Sequence, residues 1–204
     1  MKTSPFLFLF SFVILLSSCG KSSDTTQKPE AGKVKTLQPA DIKQLNENAV
    51  ALFADNWFVV TAGSEETGFN PMTISWGALG EIWGTPAATI YIRTTRHTFP
   101  LLDEGKYFTL CAFDEEYRDK VLFIGSNSGR DTDKIAATGL TPKMTELGNM
   151  YYDEARLVIE CEKIYFDDIQ PQNITDAKAL ETYQNETSVH RMFIGKIINV
   201  WEKK

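Results

Sequence analysis

The stretch from Asn70 to Thr98, NPMTISWGALGEIWGTPAATIYIRTTRHT, limits more than any other what this chain can fold into. It opens on small hydrogen-bonding residues, Asn70, Thr73 and Ser75, interleaved with Met72, Ile74 and Trp76. A glycine-rich segment follows (Gly77, Gly80, Gly84) and reads as a turn, leading into the strand-like apolar run Ala87 to Ile92. The stretch ends in a cationic, hydroxyl-rich cluster: Arg93, Thr94, Thr95, Arg96 and Thr98. Polar groups inside an apolar segment need partners, because burying an unpaired hydroxyl or amide costs about 1–3 kcal/mol. A planar heterocycle with hydrogen-bonding edges and a phosphate tail would supply them.

Around this stretch the chain is rich in short β-type runs. Trp57–Ala62, Met72–Ala78, Ala87–Arg93, Tyr107–Phe113, Glu154–Phe166 and Val189–Trp201 read as strands, and Gly63–Phe69 as a loop. Helical signals are fewer. Ile42, Leu45, Ala49 and Leu52 recur near a helical period over Pro39–Ala54. Thr98–Glu104, Asp114–Ile124, Thr132–Thr138 (closed by Gly139) and Asp176–Tyr183 also read as helices. Many strands with few helices predict a mainly β protein, a β-barrel with helical insertions rather than a βαβ array.

The 204 residues divide into three parts. Residues 1–18 carry Lys2, then an apolar run from Phe6 to Leu16 interrupted by Ser11. That run is shorter than the roughly 20 residues a membrane span needs and fits a signal peptide. Leu16-Ser17-Ser18-Cys19 resembles a bacterial lipobox, which implies cleavage before Cys19 and acylation of its thiol. Residues 19–36 then form a polar tether, and residues 37–204 the folded domain, placed outside the cytoplasm in a bacterial cell envelope and held to the membrane by the lipid. The net charge of −6 argues against a nucleic-acid binder. With three cysteines, no CxxC pair and two histidines, no metal site is expected. Cys111 and Cys161 lie inside predicted strands and read as separate thiols, with a disulfide as the alternative that an oxidising compartment would permit. The GxSxG of a serine hydrolase and the GxGxxG of a nicotinamide domain are both missing.

Three clusters carry the candidate chemistry. In the first, Asn70, Met72, Thr73, Ile74, Ser75 and Trp76 would offer hydroxyls and backbone amides to a ring; the same alternation also suits a strand with one face in water. In the second, Arg93-x-x-Arg96-x-Thr98 presents guanidinium forks that match a phosphate, or simply a solvated basic loop. The third is Ser128-Gly129-Arg130-Asp131-x-Asp133-Lys134. Ser128 and Asp131 could cap the following helix, whose N-terminus could receive an anion, and Gly129 would let the backbone approach a ligand.

Taken in this order, the three clusters closely resemble the flavin reductase-like (flavoredoxin) family, from about Trp57 to Pro142, with weaker agreement through His190-Arg191-Met192-Phe193-Ile194-Gly195. The resemblance implies a Greek-key split barrel that binds flavin mononucleotide (FMN), a homodimer with FMN near the interface, and oxidoreductase chemistry through the bound flavin. By that carry-over Asn70, Thr73, Ser75 and Trp76 line the isoalloxazine, Arg93, Arg96, Thr98 and Lys134 face the phosphate or ribityl chain, and Met72, Ile74, Ser128 and Asp131 complete the cofactor-binding set. His190 is the candidate catalytic residue, with a structural histidine as the plain alternative. The family's usual donor is NADH or NADPH, which sits poorly with a domain outside the cytoplasm, so a membrane electron carrier or partner protein is the other candidate donor. A non-catalytic flavin- or partner-binding module on the envelope is the alternative to an enzyme.

Overall fold

The computed structural model describes Met1, residues 35–184 and residues 188–204; the signal-like segment, Cys19 and nearly all of the tether lie outside the described residues. The strands are β1 (Leu37–Pro39), β2 (Phe58–Ser64), β3 (Gly68–Ile74), β4 (Gly77–Ile82), β5 (Thr85–Arg93), β6 (Tyr107–Ala112), β7 (Pro142–Met144), β8 (Met150–Tyr152), β9 (Leu157–Asp168) and β10 (His190–Lys203). An 8-stranded antiparallel sheet runs β3-β2-β6-β9-β10-β5-β4, with β1 added along the end of β10; β7 and β8 form a separate hairpin.

The connection between β3 and β4 dictates the shape. These strands are the two opposite edges of the sheet, yet only Ser75 and Trp76 separate Ile74 from Gly77. Three steps of extended chain reach about 10 Å. The sheet must therefore roll until its edges meet, and it closes into a barrel. β3 and β4 share no hydrogen-bonded ladder, so the barrel stays split along this seam. The β2–β3 hairpin leads across the seam to the β4–β5 hairpin, and the chain then returns to place β6 beside β2, a Greek-key path. The chain thus adopts the expected mainly β split barrel.

Apolar residues fill both sides of one wall. Phe58, Val60, Ile90, Phe108, Leu110, Ile159 and Phe193 pack inside the barrel. The opposite face of β2, β6 and β9, carrying Val59, Cys111 and Val158, is covered by α3 (Arg118–Ser126) through Val121 and Ile124, and by Leu140 and Tyr152. Strands buried on both faces read as continuous apolar runs, as Trp57–Ala62 does.

Several elements differ from the sequence expectation. The glycine-rich segment is not a turn but strand β4. The turn is confined to Trp83 and Gly84, both at positive φ (53° and 72°), the backbone of a type I′ hairpin. The expected strand Met72–Ala78 breaks at Ser75 and Trp76. The helix expected over Pro39–Ala54 is a 3₁₀ turn (Ile42–Gln44), the short helix α1 (Ala49–Ala51) and a wide turn (Leu52–Asn56). The side chains of Asp41 and Asn48 cap two separate starts there, which interrupts the helix while its apolar face still meets the core. The helix expected over Asp114–Ile124 divides into a 3₁₀ turn (Glu115–Tyr117) and α3. α2 (Thr98–Glu104), α4 (Lys134–Thr138, closed by Gly139 at φ 61°) and α5 (Ala177–Gln184) lie where expected. Cys111 and Cys161 are buried free thiols on β6 and β9.

Gly195 sits where the β9–β10 register slips; a Cβ there would lie 2.5 Å from the Phe108 ring and 2.7 Å from Cys161 Cβ. Gly195→Ala is expected to destabilise the domain by about 1–3 kcal/mol through overpacking, read as a lower denaturant midpoint.

Candidate functional site

The seam opens into a cavity of about 150 Å³. It is lined by the end of β3 (Met72, Thr73, Ile74), the crossing pair Ser75 and Trp76, Tyr91 and Arg93 of β5, Arg96 in the following turn, Gly125 of α3 and His190 at the start of β10. Of the residues singled out from sequence, the structure brings Met72, Thr73, Ile74, Ser75, Trp76, Arg93, Arg96 and His190 around this one space.

Strand register explains why. β10 pairs with β5 so that His190 lies opposite Arg93. α3 lies close on β3: a Cβ on Gly125 would stand 3.0 Å from Thr73 Cβ, and Thr73 Oγ1 donates to the Val121 carbonyl at 2.6 Å. Trp76 is 46% exposed, so its indole is available to a ligand, and it lies against the His190 ring at 4.7 Å between centroids, tilted by 33°. The hydroxyl of Tyr183, on α5, is 3.1 Å from His190 Nδ1. Burial first, then the positive charges of Arg93 and Arg96, push the His190 pKa down to about 4, so the imidazole is neutral at pH 7.

The remaining candidates form a second layer. Asn70 and Thr98 are buried, and Asn70 Nδ2 donates to Thr98 Oγ1 at 2.6 Å. The Lys134 ammonium is buried and donates to the carbonyls of Pro71 (2.9 Å) and Ile124 (2.8 Å), tying α4 to β3 and the end of α3. Burial, then Arg96, push its pKa down to about 8. Gly129 makes a close approach, but to protein: a Cβ there would meet Asn70 Oδ1 at 1.9 Å and His97 Cδ2 at 2.9 Å. Arg130 Nη2 donates to the Thr95 carbonyl at 3.2 Å. Ser128 and Asp131 do not cap α4. Asp133 does, accepting from the amides of Ile135 and Ala136. Ser128 Oγ accepts from the Arg130 amide and Asp131 is exposed. With its first amides taken and only five residues long, α4 offers no anion site.

Two conclusions follow. Residues of the first two clusters meet at the seam, while the third packs against Asn70 and Pro71 without lining the cavity, and the buried polar groups partner each other: among the described residues, no buried side-chain nitrogen or oxygen lacks a hydrogen bond. Their burial therefore does not by itself demand a ligand. What fits a phosphorylated planar group is the seam itself. It has an exposed indole, β3 backbone, and two guanidinium groups whose charges add to burial in depressing His190 and, through Arg96, Lys134. The sequence reading missed Tyr91, Gly125 and Tyr183. Of these only Gly125, a glycine inside a helical run, carries a readable signal, that of close helix packing.

Residues 50–204 match the family model described as the flavin reductase like domain. Among curated proteins none matches the chain. Solved structures match in fold. The FMN-binding protein from Thermus thermophilus with bound p-hydroxybenzaldehyde is 22% identical, covering 72% of this chain and 70% of its own, at a TM-score of 0.55. The FMN-binding domain of a flavin reductases-like enzyme from Shewanella baltica OS155 is 15% identical, with 83% and 78% covered and a TM-score of 0.59. Flavoredoxin of Desulfovibrio vulgaris (Miyazaki F) is 22% identical, with 85% and 75% covered and a TM-score of 0.55.

Lys134→Met keeps the bulk but strips two carbonyls of a charged donor, and should cost about 1.5–3 kcal/mol of stability in chemical denaturation. The unfolded chain protonates His190 near pH 6.5, the folded chain only near pH 4. Stability should therefore fall as pH drops through that window, and fall less steeply in His190→Gln, measured as unfolding midpoints across pH.

Proposed function

The chain belongs to the flavin reductase-like domain family, and from that premise we propose that it is a membrane-anchored, FMN-binding oxidoreductase of the flavin reductase or flavoredoxin type. One observation carries the reading: the end of β3, Trp76, Arg93, Arg96 and His190 surround a single cavity at the barrel seam. Bound FMN would supply hydride and electron transfer, the protein orientation and electrostatics. Trp76 and the β3 backbone would hold the ring, and Arg93 and Arg96 the phosphate or ribityl chain. Neutral His190 would act as a hydrogen-bonding group at the ligand rather than as an acid.

At about 150 Å³ the cavity is smaller than the roughly 300–1,000 Å³ usual for small-molecule sites. A second copy of the chain closing the seam would complete it, in keeping with a homodimer with FMN near the interface. The acylated Cys19 would hold the domain on the envelope, outside the cytoplasm. The electron donor there would be a membrane carrier or a partner protein; NAD(P)H could serve only by stacking directly on the flavin.

The test is an absorption spectrum of the full-length chain, purified in detergent, with and without added FMN. A saturable flavin spectrum is expected, and a colourless protein that cannot be reconstituted would overturn the proposal in favour of a non-catalytic envelope module. Arg96→Ala should raise the FMN dissociation constant about 10- to 100-fold, the loss of one charged hydrogen bond, and an unchanged value would remove Arg96 from the site. Mass spectrometry of the membrane fraction should find Cys19 acylated; an unmodified Cys19 would rule out the anchor.

A further inference from the structure

We propose that Tyr183 is a positioning residue: its hydroxyl donates to Nδ1 of His190, holding the imidazole as the Nε2–H tautomer and offering that N–H to whatever occupies the seam cavity. The identity of the occupant rests on the flavin reading above; the tautomer lock does not.

The geometry comes first. Tyr183 Oη lies 3.1 Å from His190 Nδ1, and the two rings meet edge to face, 5.8 Å between centroids at 85°. The indole of Trp76 stands on the imidazole at 4.7 Å. Turning the ring over would move Nδ1 away from the hydroxyl. Nε2 has no partner among the described residues, while His190 itself lines the cavity.

Chemistry then sets the direction of the bond. A phenol O–H is a good donor and a poor acceptor, while the bare imidazole nitrogen is a strong acceptor. In a neutral ring the stronger arrangement is O–H to Nδ1, which puts the ring proton on Nε2. Burial and the charges of Arg93 and Arg96 keep the ring neutral, so Nδ1 retains the lone pair this bond needs. A protonated ring would have to donate from both nitrogens and would turn the hydroxyl away.

The setting of Tyr183 points the same way. No residue of α5 is buried, so the helix adds little to the core. Its contact with the site is this hydroxyl and ring, seven residues before His190 in sequence. A core-packing role would not call for the hydroxyl.

The experiment is ¹H–¹⁵N spectroscopy of the two histidine side chains in the full-length protein without flavin, with His190→Gln assigning the signals. At pH 7 the wild type should show His190 with a protonated Nε2 and an unprotonated Nδ1. Tyr183→Phe should lose that single-tautomer signature, the two nitrogen shifts moving toward each other. It should also raise the FMN dissociation constant about 2- to 10-fold, as expected for one neutral hydrogen bond. A wild-type ring protonated on Nδ1, or an unchanged tautomer in Tyr183→Phe, would overturn the proposal. Should the variant fail to fold, the wild-type tautomer alone decides. If the wild type shows the predicted tautomer but takes up no FMN, the lock stands and the flavin reading falls.

Discussion

Two residues between β3 and β4 set the terms for the rest of this domain. Because Ser75 and Trp76 must bridge the outer edges of an 8-stranded sheet, the sheet has no freedom to lie open. Closure brings β3 next to the β4–β5 hairpin without letting the two pair. Two unpaired sheet edges are an exposed template for association unless something covers them. Here β3 is covered in part by α3, which lies against Thr73 through Gly125, and the remaining gap is the candidate site. The site is therefore a product of topology before it is a product of side chains. A ligand that used the β3 backbone edge would satisfy groups that the split leaves without a ladder.

The polar residues around the seam divide into two kinds, and energetics separates them. Asn70, Thr98 and Lys134 are buried and spend their hydrogen bonds on one another and on carbonyls, so deleting one partner exposes the full desolvation cost of the other. They clamp the Ser128–Lys134 segment and the β5–α2 turn onto β3. Gly129 belongs to the same clasp, since any side chain there would collide with Asn70 and His97. Arg96, Ser75 and Trp76 are exposed and keep their capacity for something outside the chain. In sequence both kinds look alike, as small polar or basic residues in a β-rich stretch. Only burial distinguishes a residue that holds the site from one that can hold a ligand.

The same limit explains what was legible beforehand. β2, β6 and β9 were plain because burial on both faces writes uninterrupted apolar runs, and α4 was marked by the glycine that ends it. β4 was hidden, because its glycines look like a turn. At Gly77 the reason for glycine is tertiary: a Cβ would sit 2.2 Å from the Phe53 ring and 2.6 Å from the Thr89 carbonyl. Along Pro39–Ala54 the apolar period was real, but Asp41 and Asn48 compete for the backbone and break one helix into pieces. Met72–Trp76 and the two arginines, grouped in the sequence, do lie around one cavity at the seam. The Thr73 hydroxyl needs no ligand, because its partner is a carbonyl 48 residues away. Nothing local to Tyr183 announced its bond to His190.

Electrostatics then constrains what the seam can do. Burial, reinforced by the charges of Arg93 and Arg96, holds the His190 imidazole neutral, and burial with a smaller push from Arg96 lowers Lys134. Guanidinium groups do not release protons at any working pH. The protonation of Arg93 and Arg96 is thus the same in mildly acidic and mildly basic solution. A histidine already neutral well below pH 7 has no proton to give as an acid, but it keeps one ring N–H to donate as a hydrogen bond. Charge and hydrogen bonding are supplied by different residues, and burial first, with the nearby guanidinium charges second, keeps the histidine neutral.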